Sequence, residues 1–162
     1  MQDKLTTWLW FDTEAEEAAR YYASIFRNAE LGEVVLAAGG GEPHTREGQV
    51  LTAAFRIEGH GFVCLNGGPH PGAARSDSVS FQVLCKDQAE VDEYWNKLSA
   101  DGGQEVQCGW VKDRYGFSWQ IVPEILPRLM AGPDREKAAR VTAAMMKMIK
   151  LDIAGLEAAA RG

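Results

Sequence analysis

Phe11-Asp12-Thr13-Glu14-Ala15-Glu16-Glu17-Ala18-Ala19-Arg20-Tyr21-Tyr22 and Gln82-Val83-Leu84-Cys85-Lys86-Asp87-Gln88-Ala89-Glu90-Val91-Asp92-Glu93-Tyr94-Trp95 decide the fold. In each stretch an extended apolar run leads into an acidic segment of helical spacing that carries paired aromatics. Each is followed by a glycine-bearing turn and short strand-like runs, closing on Gly61-Phe62 in one half and Gly116-Phe117 in the other. Two copies of a strand–helix–three-strand unit predict an α+β protein of two pseudo-symmetric βαβββ modules. Such a duplication predicts a concave site shared by the halves.

Working outward, the first strand alternates. Leu5, Thr7, Leu9 and Phe11 fall on one face, and Thr6, Trp8 and Trp10 on the other. Thr13 followed by Glu16 has the spacing of a capping box and predicts a helix over 13–27. Its apolar stripe is Ala15, Ala18, Ala19, Tyr22 and Phe26. A strand follows over 30–38, broken by Gly39-Gly40-Gly41-Glu42-Pro43. Residues 49–57 and 60–66 read as a hairpin turning at Gly59, and Gly67 to Gly72 as a linker. In the second unit, Val79, Phe81, Val83 and Cys85 share an apolar face; Ser78, Ser80 and Gln82 share the other. A helix runs from Gln88 to Ser99, closed by Asp101-Gly102-Gly103. Strands are expected near 104–108, 110–113 and 117–122, with Pro123 ending the last.

Helical sequence then runs from Ile125 to Ala131, from Pro133-Asp134 to Lys147, and from Asp152 (as N-cap) to Ala160. The domain organisation read from this is a paired domain over 1–123, with module one at 4–66 and module two at 77–123. Residues 124–162 form a C-terminal helical extension. Met145, Met146, Met148 and Ile149 are too apolar for a free tail. They dock on the outer surface of the sheet or build a dimer interface.

Composition narrows the function. The 162 residues are 46% hydrophobic and 25% charged, as in an ordinary globular domain. A net charge of −6 and no Lys/Arg cluster argue against a nucleic-acid partner. No apolar run approaches the ~20 residues of a membrane span, so no membrane association is expected. The N-terminus has no basic stretch leading into an apolar one, so no signal peptide is expected. Cys64, Cys85 and Cys108 are odd in number and widely spaced, which predicts reduced thiols and a cytoplasmic protein. They read as small buried apolar residues and not as nucleophiles.

Several segments resemble one family. They are Leu9-Trp10-Phe11-Asp12, Leu65-Asn66-Gly67-Gly68-Pro69, Ser80-Phe81-Gln82-Val83, Asp92-Glu93-Tyr94-Trp95, Cys108 through Gly116, Ser118 through Pro123, and Lys147 through Ile153. Together the chain resembles the vicinal-oxygen-chelate superfamily of glyoxalases, extradiol dioxygenases and bleomycin- or fosfomycin-resistance proteins. Within it, the chain is similar to the PhnB-like branch, often labelled demethylubiquinone methyltransferase. The resemblance implies two βαβββ modules whose sheets form a cup with helices outside. It makes Thr6, Trp8, Trp10, Ser78, Ser80, Gln82, Ser118 and Gln120 the residues expected to line that cup.

Superfamily enzymes bind a divalent metal there, through His, Gln or Glu on the first and last strands of each module. Carried over, those positions fall near Thr6 and Ser78 and on Gln120. The Gly61–Gly116 match adds Leu65, or Cys64 or Asn66 if the register slips. Hydroxyls are weak neutral donors, Leu has none, and a catalytic metal needs about three protein ligands. No metal and no cofactor are therefore expected.

Trp8 and Trp10 stack a planar ligand, or they fill the cup or pack against the C-terminal helices. His44, His60 and His70 read as loop residues, with His70 the one that could close over the cup as a general acid or base. Arg114, in the charged turn Lys112-Asp113-Arg114, could bind a ligand. Gly39-Gly40-Gly41 is followed by a strand, not a helix, so it reads as a hairpin loop able to act as a lid and not as a methyl-donor site. The expected function is small-molecule binding by a homodimer of unassigned activity. The alternative is a superfamily enzyme: a glyoxalase-like lyase or isomerase, a dioxygenase, or the methyltransferase of the label.

Overall fold

A computed structural model describes residues 4–162. The chain divides between Ala74 and Arg75 into two compact units.

The first unit contains β1 (Thr7–Phe11), α1 (Ala15–Ile25), β2 (Ala29–Leu36), β3 (Val50–Ile57) and β4 (His60–Asn66). They form a four-stranded sheet in the order β1-β4-β3-β2, with β1 parallel to β4 and the other pairs antiparallel. The alternation is as read: Leu9 and Phe11 are buried, whereas Trp8 is 57% exposed. Leu5 and Thr6 precede the strand. The α1 stripe is buried in full, with Ala15, Ala18, Ala19, Tyr22 and Phe26 all in the core. Tyr22 stacks on Phe55 at 5.4 Å and Phe55 on Phe62 at 4.9 Å, joining helix to sheet. Burial of such a ring stabilises by roughly 1.5–3 kcal/mol. Glu58 and Gly59, with φ of 47° and 80°, make the two-residue turn between β3 and β4.

The start of α1 differs from expectation. Glu14 holds the cap position, no capping box forms at Thr13, and Glu16 instead pairs with Arg20 at 2.7 Å. The Ala15 N–H is satisfied from 51 residues away, donating to Asn66 Oδ1 at 2.8 Å. Asn66 Nδ2 donates to the Val50 carbonyl at 2.9 Å, and the Asn66 carbonyl accepts from Thr45 Oγ1 at 3.0 Å. Asn66 lies opposite Phe11 in the parallel pair, so the chain enters α1 beside it. Local capping is thereby replaced by a cap from the last strand.

The second unit contains β5 (Phe81–Cys85), α2 (Gln88–Ser99), β6 (Gln104–Glu105), β7 (Trp110–Lys112) and β8 (Ser118–Pro123), followed by α3 (Ile125–Met130), α4 (Arg135–Met145) and α5 (Ile153–Arg161). Its sheet repeats the first, in the order β5-β8-β7-β6 with β5 parallel to β8. Here the local cap does form: Asp87 accepts from Glu90 N–H at 2.9 Å, and Glu90 accepts from Lys86 N–H at 2.7 Å. Val91, Tyr94, Trp95 and Leu98 of α2 are buried, as are Val111, Trp119 and Ile121 of the sheet. Buried Asp113 closes the turn into β8. Its Oδ1 accepts from the amides of Tyr115 and Phe117, and its Oδ2 from Trp119 Nε1 at 2.8 Å.

The strand expected over 104–108 is shorter because Val106 N–H donates to the Trp110 carbonyl at 2.9 Å, closing a turn that contains Cys108 and Gly109. With φ of 60° and 80°, they donate to the carbonyls of Met148 and Ile149 at 2.9 and 2.8 Å. A Cβ on Gly109 would lie 2.9 Å from the Ile121 carbonyl and from Leu151, so only glycine permits this approach. Asp134 and Asp152 cap α4 and α5. Met145 and Met148 pack against Val122, Leu126, Val141, Leu151 and Leu156, whereas Met146 and Ile149 are half exposed. Gln88 stitches this region to α2, donating to Asp92 and to the Leu151 carbonyl and accepting from Ile153 N–H. No described helix is long and apolar enough to cross a membrane.

Replacing Asn66 by Ala removes the α1 cap and the bond to Val50, and is expected to cost about 1–3 kcal/mol in urea unfolding. Asn66→Asp keeps the acceptor for Ala15 and should lose less than Asn66→Ala. An Asn66→Ala protein as stable as the parent would show that α1 is held without it.

Candidate functional site

Strand register settles which side chains share a face of the second sheet. Gln82 lies opposite Gln120, and Gln120 lies opposite Trp110. Ser118 lies opposite Lys112, and extending the β5 register by one residue sets Ser80 opposite Ser118. Directly paired residues project to the same side. One face therefore gathers Ser80, Gln82, Ser118, Gln120, Lys112 and Trp110. The other buries Trp119 and Ile121, with Phe81 tilted against Trp119 at 5.0 Å. Gln120 Nε2 donates to Ser80 Oγ at 2.8 Å, which leaves the Gln120 carbonyl oxygen to face outward. Ser118, read as a lining residue, is only 2% exposed and donates to Asp77 Oδ1 at 2.7 Å. Ser78 bonds Ser76 at 2.6 Å, ahead of the strand. Further along β8, Val122 is buried in the cluster of the C-terminal helices.

The same comparison within the first unit corrects the residue carry-over. Trp8 lies opposite Val63, as Gln82 lies opposite Gln120. Phe62 and Cys64 are buried as Trp119 and Ile121 are. The counterpart of Gln120 is thus Val63, not Leu65, and the counterparts of Thr6 and Trp8 are Ser80 and Gln82. Trp8 presents a largely exposed indole. Trp10 is tied to the loop after β4: its Nε1 donates to the Gly68 carbonyl at 2.8 Å, and its ring tilts against His70 at 5.5 Å. A Cβ on Gly67 would lie 2.1 Å from that indole, which explains the glycine.

The other polar candidates have structural partners. His44 packs on Gly68, where a Cβ would lie 2.3 Å from its ring. His60 Nε2 bonds Thr7 Oγ1 at 2.9 Å. His70 Nδ1 accepts from Gly72 N–H at 3.0 Å, capping the single 3-10 turn Pro71–Ala73. Arg114 pairs with Asp101. The Gly39–Gly41 loop wraps an internal anion. The Glu42 carboxylate is held below its ordinary pKa by its own amide and by those of Ala38, Gly40 and Gly41, with Ala38 N–H at 3.1 Å from Oε1. A cleft of about 400 Å³ opens beside α1, between Asp12, Glu17, His44 and Gln49, with Glu16 at its edge already paired to Arg20.

The donor set does not suit a tightly held divalent metal. Thr6 and Ser80 offer neutral hydroxyls, Gln82 and Gln120 neutral amide oxygens, and Val63 offers no donor at all. Among the described residues, no three His, Cys, Asp or Glu side chains are grouped as ligands.

With this geometry in hand, comparison with known proteins is decisive for family. The family model described as 3-demethylubiquinone-9 3-methyltransferase matches residues 3–122. The chain belongs to this family. A PhnB protein from Bacillus cereus, titled for the same methyltransferase, is 29% identical over 75% of this chain and 99% of its own, with a TM-score of 0.65. The fold is shared with a Pseudomonas aeruginosa protein at 18% identity, over 76% of this chain and 98% of its own, with a TM-score of 0.60. It is also shared with an Arabidopsis thaliana gene product at 20% identity, over 75% and 99%, with a TM-score of 0.52. No curated protein matches the chain. The family model and the Bacillus cereus protein place the chain among PhnB-like proteins, and the other two structures show the shared fold. The C-terminal helices lie beyond the residues that the family model matches.

Two chemical tests follow. Burial pushes the Cys64 and Cys85 thiols up to about 12, so both stay protonated near pH 8. Titration of the native protein with an aromatic disulfide should therefore find one fast thiol, Cys108, and three after unfolding; two or three fast thiols in the native protein would contradict this packing. The Glu42 value is depressed by folding, so its contribution is present above the ordinary carboxylate pKa and lost as pH falls through the lowered one. Hydrogen exchange at Ala38, Gly40 and Gly41 should accelerate relative to the rest of the chain below about pH 4. Glu42→Gln should show the faster exchange already at neutral pH.

Proposed function

We propose that this protein binds a small, flat, uncharged molecule on the polar face of its second sheet, through Ser80, Gln82 and Gln120, without a catalytic metal. The observation that carries this is the cross-strand pairing of Gln82 with Gln120, which the Ser80 hydroxyl orients. Amides and hydroxyls in fixed positions recognise polar edges of a neutral ligand better than they hold a cation. Thr6 and the exposed indole of Trp8 form a second contact surface at the corresponding positions of the first module. Assembly as a homodimer belongs to this proposal and is supported by the exposed Met146 and Ile149. A cytoplasmic setting belongs to it too, supported by three free cysteines.

The family name raises methyl transfer as a second reading. Against it stands the Gly39–Gly41 loop, whose amides face Glu42 and which leads into a strand. The test uses a soluble short-chain 3-demethylubiquinone analogue, followed by tryptophan fluorescence in the presence of a metal chelator. Saturable binding is expected, weakened about tenfold by Gln120→Ala and by Gln82→Ala. Binding that requires an added divalent ion, or methylation of the analogue by a sulfonium donor, would refute the proposal.

A further inference from the structure

We infer that Asp77 is the specificity-determining anchor of this surface, and that the ligand it selects is a flat ring bearing a neutral hydroxyl donor. The inference rests on the binding face proposed above and names its ligand class. Asp77 lies just ahead of β5, and two donors fix its carboxylate from one side. Ser118 Oγ approaches Oδ1 at 2.7 Å, and Lys112 Nζ approaches the same oxygen at 3.2 Å. Among the described residues Oδ2 has no partner, and the side chain is more than half exposed. These contacts also hold Asp77 below its ordinary pKa, through the Ser118 bond first and Lys112 second, so it is an acceptor only at neutral pH.

Lys112 already neutralises the carboxylate, so a cationic ligand would gain little net attraction there, whereas a hydroxyl can donate to the open oxygen. Ser118 and Gln120 are two residues apart on one face of β8, a spacing of about 7 Å that one substituted ring can bridge. Trp110, opposite Gln120, supplies an aromatic face against which such a ring can stack, and its indole N–H has no partner among the described residues. Strand register sets Trp110 opposite Gln120 and Lys112 opposite Ser118, and the bonds to Ser118 and Lys112 bring Asp77 to the same face.

The experiment compares three probes on the full chain by two-dimensional NMR of side-chain amides and indoles: p-cresol, 4-methylanisole and benzylamine. In the parent, p-cresol should bind about tenfold tighter than 4-methylanisole, the value of one hydrogen bond to a charged acceptor. Asp77→Asn should bring that ratio close to one, because Ser118 and Lys112 hold the amide oxygen and turn the NH2 outward. Trp110→Leu should weaken both probes and leave the ratio in place. Thermal unfolding of each variant separates lost selectivity from lost fold. A ratio near one in the parent, a ratio that survives Asp77→Asn, or benzylamine binding tighter than p-cresol would each overturn the assignment of Asp77 while leaving the face itself as a binding surface. Absence of binding by both p-cresol and 4-methylanisole would overturn the face as well.

Discussion

Each module is closed by a parallel pairing of its first and last strands, β1 with β4 and β5 with β8. Parallel strands cannot be joined by a tight turn, so the chain must leave, cross over and return. The helix and the two intervening strands are that crossover. Because both strands of the pair run the same way, their ends lie side by side where the helix begins. In the first unit this brings Asn66 to the amide of Ala15. In the second it brings the Glu124 amide to the Cys85 carbonyl at 2.8 Å. The same pairing sets Gln82 opposite Gln120. Fold and proposed binding face thus depend on one register, and a slip of one residue would turn either Gln82 or Gln120 into the core.

The two modules share this scaffold and differ in what they display on it. At corresponding positions the first offers Thr6, Trp8 and Val63, and the second Ser80, Gln82 and Gln120. One face is an aromatic and aliphatic surface; the other is a row of hydrogen-bonding groups. Several carboxylates that invite a functional reading are instead used by the backbone. Glu42 accepts from the Ala38 amide, and Asp113 satisfies two amides and an indole inside the turn before β8. Asp77 differs in that its open oxygen belongs to an exposed side chain, whereas Glu42 Oε2 is buried without a partner.

The C-terminal helices belong to the second unit because backbone bonds draw them in. Cys108 and Gly109 bond Met148 and Ile149, Gln88 bonds on either side of Asp152, and Lys150 pairs with Asp92 at 2.7 Å. Leu151 is fully buried among residues from α3, α4 and α5.

The sequence by itself determined the duplicated βαβββ order, the buried stripe of α1, the full extent of α2 and the capping of the last helix by Asp152. These follow from period, turn chemistry and local side-chain reach, all of which act within a few residues. It misplaced what depends on distant partners. Thr13 has the right spacing for a cap, but Asn66 makes a better one once β1 and β4 pair. Matching Gly61 to Gly116 set a strand residue against a turn residue and gave Leu65, whereas the buried pairs Phe62 with Cys64 and Trp119 with Ile121 align Val63 with Gln120. Ser118 shared the face read for it, yet its hydroxyl is spent on Asp77. Only the tertiary structure decided the register of strands some forty residues apart, and with it which polar side chains stand together, because hydrogen bonds between strands are satisfied in space and leave no spacing in the chain.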